Sequence, residues 1–226
     1  MSTLRSALTA FLMCGVMSAA TVAGDLSKYR NFQLGTDLSS VAKQAGVDPS
    51  QVKAIQRRPA LIQELEWRPQ SLGPSAQAEA ASQVVFSFYD GELFQVAINY
   101  DRHEIEGLTT ADFVEAISAN YGSATTPQTF AAAAPERFGD QEEVLARWQD
   151  PEYRFDLIRS SYGTSYRLIG VLKRLEAPVQ AAILEAKRLD DQEAPQRDAA
   201  RIASGEEAAR IKLAKARLVN KARFRP

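Results

Sequence analysis

Among 226 residues, one imidazole and one thiol are the only side chains whose ordinary chemistry lies near neutrality: His103 and Cys14. His103 sits with Asp101, Glu104 and Glu106 in a polar stretch. A carboxylate–imidazole cation site needs a second strong ligand at a defined spacing, and none follows here, so a solvated loop histidine is expected. Ser–His–Asp chemistry has no other histidine to use, and neither a Gly-x-Ser-x-Gly elbow nor a phosphate loop accompanies it. Glu64 and Glu66 share one face of an alternating segment, roughly 7 Å apart, with nothing around them to raise a pKa, which reads as a wet sheet face. No catalytic residue, metal ligand or cofactor is assigned.

What remains is recognition chemistry. Trp67, Tyr89 and Trp148 are large, rigid side chains suited to docking a partner on a sheet face, although their alternation with leucines favours core burial. At the C-terminal end, Arg210, Lys212, Lys215, Arg217 and Lys221 belong to a run of seven basic residues with no acidic one. The rest of the chain then holds 20 basic against 28 acidic residues, a net of −8, while the whole chain carries only −1. Charge is segregated. A near-neutral total gives no global attraction to nucleic acid, so the expected partners are another envelope protein or an anionic envelope surface.

The address follows from the N-terminus. Arg5 supplies a positive start, Ala7 to Met17 an apolar run, and Ser18-Ala19-Ala20 or Thr21-Val22-Ala23 a small-residue cleavage site, so residues 1–23 read as an export signal. The run is shorter than the ~20 apolar residues a span requires, and no transmembrane span is expected after its removal. Cys14 lies in the removed segment behind bulky Met13, where a lipidation site would need a small residue. The mature chain is therefore expected to be periplasmic or secreted and free of cysteine, which excludes disulfides, thiol nucleophiles and Cys-ligated zinc. With 45% hydrophobic and 24% charged residues, it has the composition of a folded domain.

Periodicity supplies the elements. After an extended start at Tyr29, Phe32 and Leu34, the residues Leu38, Val41, Ala42 and Ala45 recur at helical spacing between Thr36-Asp37 and Gly46. Asp48-Pro49-Ser50-Gln51 predicts another helical turn or, before Pro59, a short strand. Leu61 to Arg68 alternates, with Leu61, Leu65 and Trp67 on one face. A loop from Pro69 to Gln83 precedes two strands, Val84–Phe88 and Phe94–Tyr100, joined by a three-residue Tyr89-Asp90-Gly91 loop that sets Phe86 opposite Phe94. Thr109-x-x-Asp112 caps a helix carrying Phe113, Ala116, Ile117 and Tyr121 and ending at Gly122. After a loop at 123–141, Val144–Trp148, Arg154–Ser160 and Tyr166–Leu175 predict three strands, the last two turned at Tyr162-Gly163. Glu176 to Pro226 reads as a charged tail of two helices divided by Pro178, Pro195 and Gly205, its apolar face thin at Ala208, Ile211, Ala214 and Leu218.

A helix ending in Gly, a strand ending in Trp and a glycine-turned hairpin occur twice, with Gly46 and Gly122 separated by 76 residues and Trp67 and Trp148 by 81. The predicted fold class is α+β: residues 24–175 form one domain of two helix-plus-three-strand units, about 29–100 and 101–175, followed by the tail at 176–226. Through Leu34-Gly35-Thr36, Val41, Trp67, Phe86-Ser87-Phe88 and Asp90-Gly91-Glu92-Leu93, the first unit resembles small bacterial envelope proteins of the SmpA/OmlA lipoprotein kind. The two-copy arrangement over residues 29–175 is similar to the beta-lactamase inhibitor protein-like fold. The chain departs from both in lacking a lipobox cysteine and cysteine pairs, so the resemblance implies fold and not activity. The expected function is an exported, non-enzymatic binding or envelope-accessory role, with a tail-mediated tether to anionic envelope components as the alternative and a carboxylate hydrolase as the remaining one. Mass spectrometry of the exported protein is expected to find an N-terminus between Thr21 and Asp25, and an intact Met1 in that fraction contradicts the export signal.

Overall fold

Local capping chemistry starts and stops the short helices. A computed structural model describes residues 24–69, 80–125, 142–160 and 165–225; the expected signal, most of the 123–141 loop and Tyr162-Gly163 lie outside that set. The first half contains β1 (Lys28–Tyr29), β2 (Phe32–Gln33), α1 (Leu38–Ala45), a 3-10 turn (Pro49–Gln51), β3 (Lys53–Gln56), β4 (Ile62–Trp67), β5 (Ala81–Tyr89) and β6 (Glu92–Tyr100). The second contains α2 (Thr110–Tyr121), β7 (Glu142–Gln149), β8 (Tyr153–Ser160), β9 (Tyr166–Leu172) and α3 (Lys173–Arg223). The Asp37 carboxylate accepts the Ser40 N–H at 3.0 Å to open α1, and Gly46, at φ +65°, closes it. Thr109 and Asp112 exchange hydrogen bonds in a capping box at the start of α2. Hydrogen bonds from Ser39 and Ser40 hold the Asp37 carboxyl below the usual range, as Thr109 does for Asp112.

These elements make an α+β fold with a helical C-terminal part. Seven antiparallel strands form one sheet in the order β3-β4-β5-β6-β9-β8-β7, and β1 and β2 form a separate ribbon. The first half contributes α1 and four consecutive antiparallel strands, β3 to β6, the second α2 and three, β7 to β9, and the last strands of the two halves, β6 and β9, pair with each other. The 48–56 segment resolves into both of its expected forms, a 3-10 turn capped by Asp48 and then the edge strand β3.

The hairpin between β5 and β6 differs from expectation. Tyr89 pairs directly with Glu92, leaving a two-residue Asp90-Gly91 loop with φ of +49° and +85°, the backbone signature of a type I′ turn. Without correction, that loop would set Phe86 opposite Gln95. A register shift between Ser87 and Phe88 inserts one extra residue, Phe94, into β6, so that Phe86 faces Val96 instead of Phe94. The apolar sets still share a face, through a bulge rather than a longer loop. Asp90 also explains why the tight turn is held: its side chain accepts the Leu61 N–H at 2.9 Å.

Cross-strand register then lays apolar rows across the sheet. One row runs Leu65, Phe86, Val96, Gly170, Phe155, Trp148, and its neighbour runs Trp67, Val84, Ile98, Leu168, Leu157, Ala146. Val41 and Ala42 of α1 and Phe113 and Ile117 of α2 join these rows in a single core. Rings tie the layers: Phe32 lies 4.5 Å from Phe86, and Tyr121 stacks on Phe155 at 4.5 Å. Ile62, rather than Leu61, is buried at the start of β4, and it points to the opposite face, where α3 crosses.

Gly170 pairs with Val96 of the first half and lies against Phe155 of its own half. A Cβ there would lie 2.4 Å from Phe155 Cε1 and 2.5 Å from Cζ, so the ring occupies the space that a side chain would take. Gly170→Ala is expected to cost about 1–3 kcal/mol by overpacking a core that cannot relax away from it. A lower denaturant midpoint with an unchanged slope is the measurement; an unshifted midpoint contradicts the packing.

Candidate functional site: the projecting helix

The predicted partner-binding residues separate into three environments. Trp148 is only 1% exposed, and its indole N–H lies 3.1 Å from both Ser118 Oγ and the Gly122 carbonyl beneath α2. It is a core residue, which corrects its assignment to a binding face: the alternation that exposed one face of β7 turned this residue inward. Trp67 is half-buried, with its ring 5.1 Å from Phe32 and the Arg30 guanidinium 5.9 Å from its centroid, beside a shallow depression lined by Ala45, Gly46 and Val47. Tyr89 is half-buried against the core at the β5–β6 turn. These three side chains do not converge on one surface. His103 is exposed in its loop, and Glu66 pairs with Lys53 at 2.7 Å, which lowers the pKa of its carboxyl.

Arg210, Lys212, Lys215, Arg217 and Lys221 share the third environment, full exposure on α3. That element is one continuous helix of 51 residues, with Pro178 and Pro195 inside it and Gly205 within its run, so the expected division into two helices does not occur. Proline ordinarily costs an interior helix about 3 kcal/mol by removing a hydrogen bond and crowding the preceding turn. Around Pro178, tertiary burial opposes that cost: Leu175, Val179 and Ala182 are buried, and Ala186, Leu189 and Glu193 continue the stripe half-buried at spacings of three and four. Near Pro195, the Arg197 guanidinium donates to the Asp190 carbonyl at 2.9 Å.

Polar contacts fix the base of α3. Arg154, Asp156 and Arg147 lie on the sheet face opposite the core rows. Arg147 Nε donates to Asp156 Oδ1 at 2.6 Å, Arg154 Nε donates to Oδ2 at 3.0 Å, and Arg154 also forks onto Glu176 of the helix. Asp156 is 8% exposed and so holds two guanidiniums in a largely dry place. Farther along, the Gln56 amide donates to the Ala182 carbonyl at 3.2 Å, and Arg58 of the β3–β4 connection pairs with Glu193, whose carboxyl it holds below its usual range. The helix thus starts at β9, crosses to the β3 edge and runs past it. The sequence reading missed this network; its signal was the alternation of Arg154 and Asp156 with apolar Phe155 and Leu157.

From Pro195 to Arg225 every residue is exposed. The helical part of that stretch reaches about 45 Å at 1.5 Å per residue. Arg201 pairs with Asp198 and Arg210 lies 3.9 Å from Glu207, but the cations from Lys212 onward have no carboxylate on their own segment. Among the described residues no helix is long and apolar enough to cross a membrane, and no group of three His, Cys, Asp or Glu side chains gathers as a metal site. No family model, curated protein or solved structure matches the chain.

Asp156→Ala is expected to lower stability by roughly 3 kcal/mol, because it leaves two inward guanidiniums without their shared acceptor. Equilibrium denaturation checks this, and a loss below ~1 kcal/mol means that the network does not hold the helix base.

Proposed function

We propose that this chain is an exported binding protein whose domain carries a projecting basic helix, and that the helix attaches it to an anionic surface of the envelope. The observation that carries this reading is the coincidence of exposure and charge: from Arg210 to Arg225, the last turns of α3 and the two residues beyond them, every residue is exposed and seven cations stand without an acid. Each Lys or Arg brought near an anionic surface contributes about 1 kcal/mol at moderate ionic strength, so a handful suffices for reversible attachment. Long cationic side chains also keep their stems against the helix while their heads reach outward. Burial of Trp148 favours the helix over the sheet face as the contact element. The similarity to SmpA/OmlA-type envelope proteins agrees with this address and stands as part of the proposal.

Co-sedimentation of the exported chain with phosphatidylglycerol vesicles, against phosphatidylcholine vesicles, tests it. Binding is expected to the anionic vesicles alone, to fall at least tenfold between about 50 mM and about 500 mM salt as the Debye length shrinks, and to vanish on deleting residues 206–226. Equal binding to both vesicles, or binding retained after the deletion, overturns the reading.

A further inference from the structure

We propose that the outward face of α3 pairs with the same face of a second copy of this chain in an antiparallel two-stranded coil. Ala199, Ile202, Glu206, Ala209, Leu213, Ala216 and Asn220 recur at alternating spacings of three and four, the seam of a coiled coil. This seam lies about half a turn round the helix from Leu175, Val179 and Ala182, which dock on the domain, so it faces away from the sheet. Its two large members are exposed, Ile202 at 56% and Leu213 at 71%.

Charge selects the occupant and the direction. Residues 190–207 hold six carboxylates and two guanidiniums, a net of −4, whereas residues 208–225 hold seven cations and no acid, a net of +7. The two stretches are equal in length and adjoin along α3, the second ending two residues past it. A parallel partner would set basic against basic, while an antiparallel one sets each basic stretch along the other chain's acidic one. With the two-fold axis between residues 207 and 208, Ile202 meets the second copy's Leu213, Ala199 meets its Ala216, and Glu206 meets its Ala209. Alanines at these layers let the helices approach closely. The partner's tip then ends beside Asp190, within one turn of Glu193, where the helix leaves the domain, so the overlap reaches just to the domain's edge. Each paired stretch keeps an excess of three positive charges, so pairing and attraction to an anionic surface coexist, and this inference goes beyond the attachment reading.

Sedimentation equilibrium of the exported chain is the first arm. A dimer is expected at ~100 µM protein, with the apparent mass halved in the Ile202→Glu/Leu213→Glu variant, since it sets two like charges directly opposite each other in place of both large apolar pairs. Ala199→Cys and Ala216→Cys single variants supply the second arm. Under oxidation they should crosslink when mixed and neither alone, because those positions are about 25 Å apart along one helix. A monomer at ~100 µM, or single variants that each crosslink to themselves while the mixture gives no mixed product, overturns the proposal. Because Ile202→Glu/Leu213→Glu keeps all seven cations, loss of its dimer with vesicle binding retained supports pairing and attachment as separate properties; loss of vesicle binding in a wild-type dimer counts against attachment alone.

Discussion

The pairing of Val96, Gly170 and Phe155 across three central strands is the constraint on which the rest of the structure depends. β6 and β9 belong to different halves of the chain, and their contact closes the sheet. Because Gly170 has no side chain, the Phe155 ring lies across β9 and reaches Tyr121 of α2. That contact sets the helix over β8, and the C-terminus of the helix in turn receives the Trp148 indole. In register, an axis between β6 and β9 exchanges Trp148 with Trp67, and each tryptophan lies by the glycine that ends its own helix, Gly122 or Gly46. The two sites diverge in burial because Ser118 and Gly122 cover the first, whereas the second borders an open depression.

On the far face, a different balance holds α3. Burying Asp156 between two guanidiniums forfeits hydration, and three partners on one carboxylate–guanidinium network offset that loss only because their geometry is fixed by neighbouring strands. Arg154 then hands its second edge to Glu176. The apolar stripe from Leu175 to Leu189 does the nonpolar share of the docking, and Arg58 closes the set at the sheet edge. Beyond that point every described residue of the helix from Pro195 on is exposed, and the helix depends on alanine-rich propensity and neighbouring ion pairs.

What was legible in the sequence follows the range of the forces. Caps are local, so Asp37, Thr109, Gly46 and Gly122 marked the ends of α1 and α2, and alternation identified the strands. The type I′ turn and its bulge were not legible, because choosing between loop lengths required knowing that an extra residue at Phe94 could restore the pattern. Continuity through Pro178 was hidden for the same kind of reason: proline's local penalty was visible, but the burial of Leu175 and Val179 that opposes it depends on residues over a hundred positions away, such as Ile62. Of the candidate contact residues, the exposure of the tail cations was legible from composition, whereas the burial of Trp148 depended on which side of β7 met α2.

A helix that leaves its domain at Glu193 also changes how the molecule's charges are felt. A domain of about 150 residues is about 40 Å across, and the free part of α3 is at least as long. Electrostatic fields in physiological salt fade over about 8 Å, several times less than that reach. The acidic body and the cationic tip are therefore electrically independent objects joined by a stiff spacer: an anion at the tip does not feel the body's repulsion. The same rigidity makes the spacer a lever, in which a tilt of about 10° at the sheet edge sweeps the tip through about 8 Å. Small adjustments in the contacts around Arg58 and Arg154 would thus be magnified into large displacements of the tip.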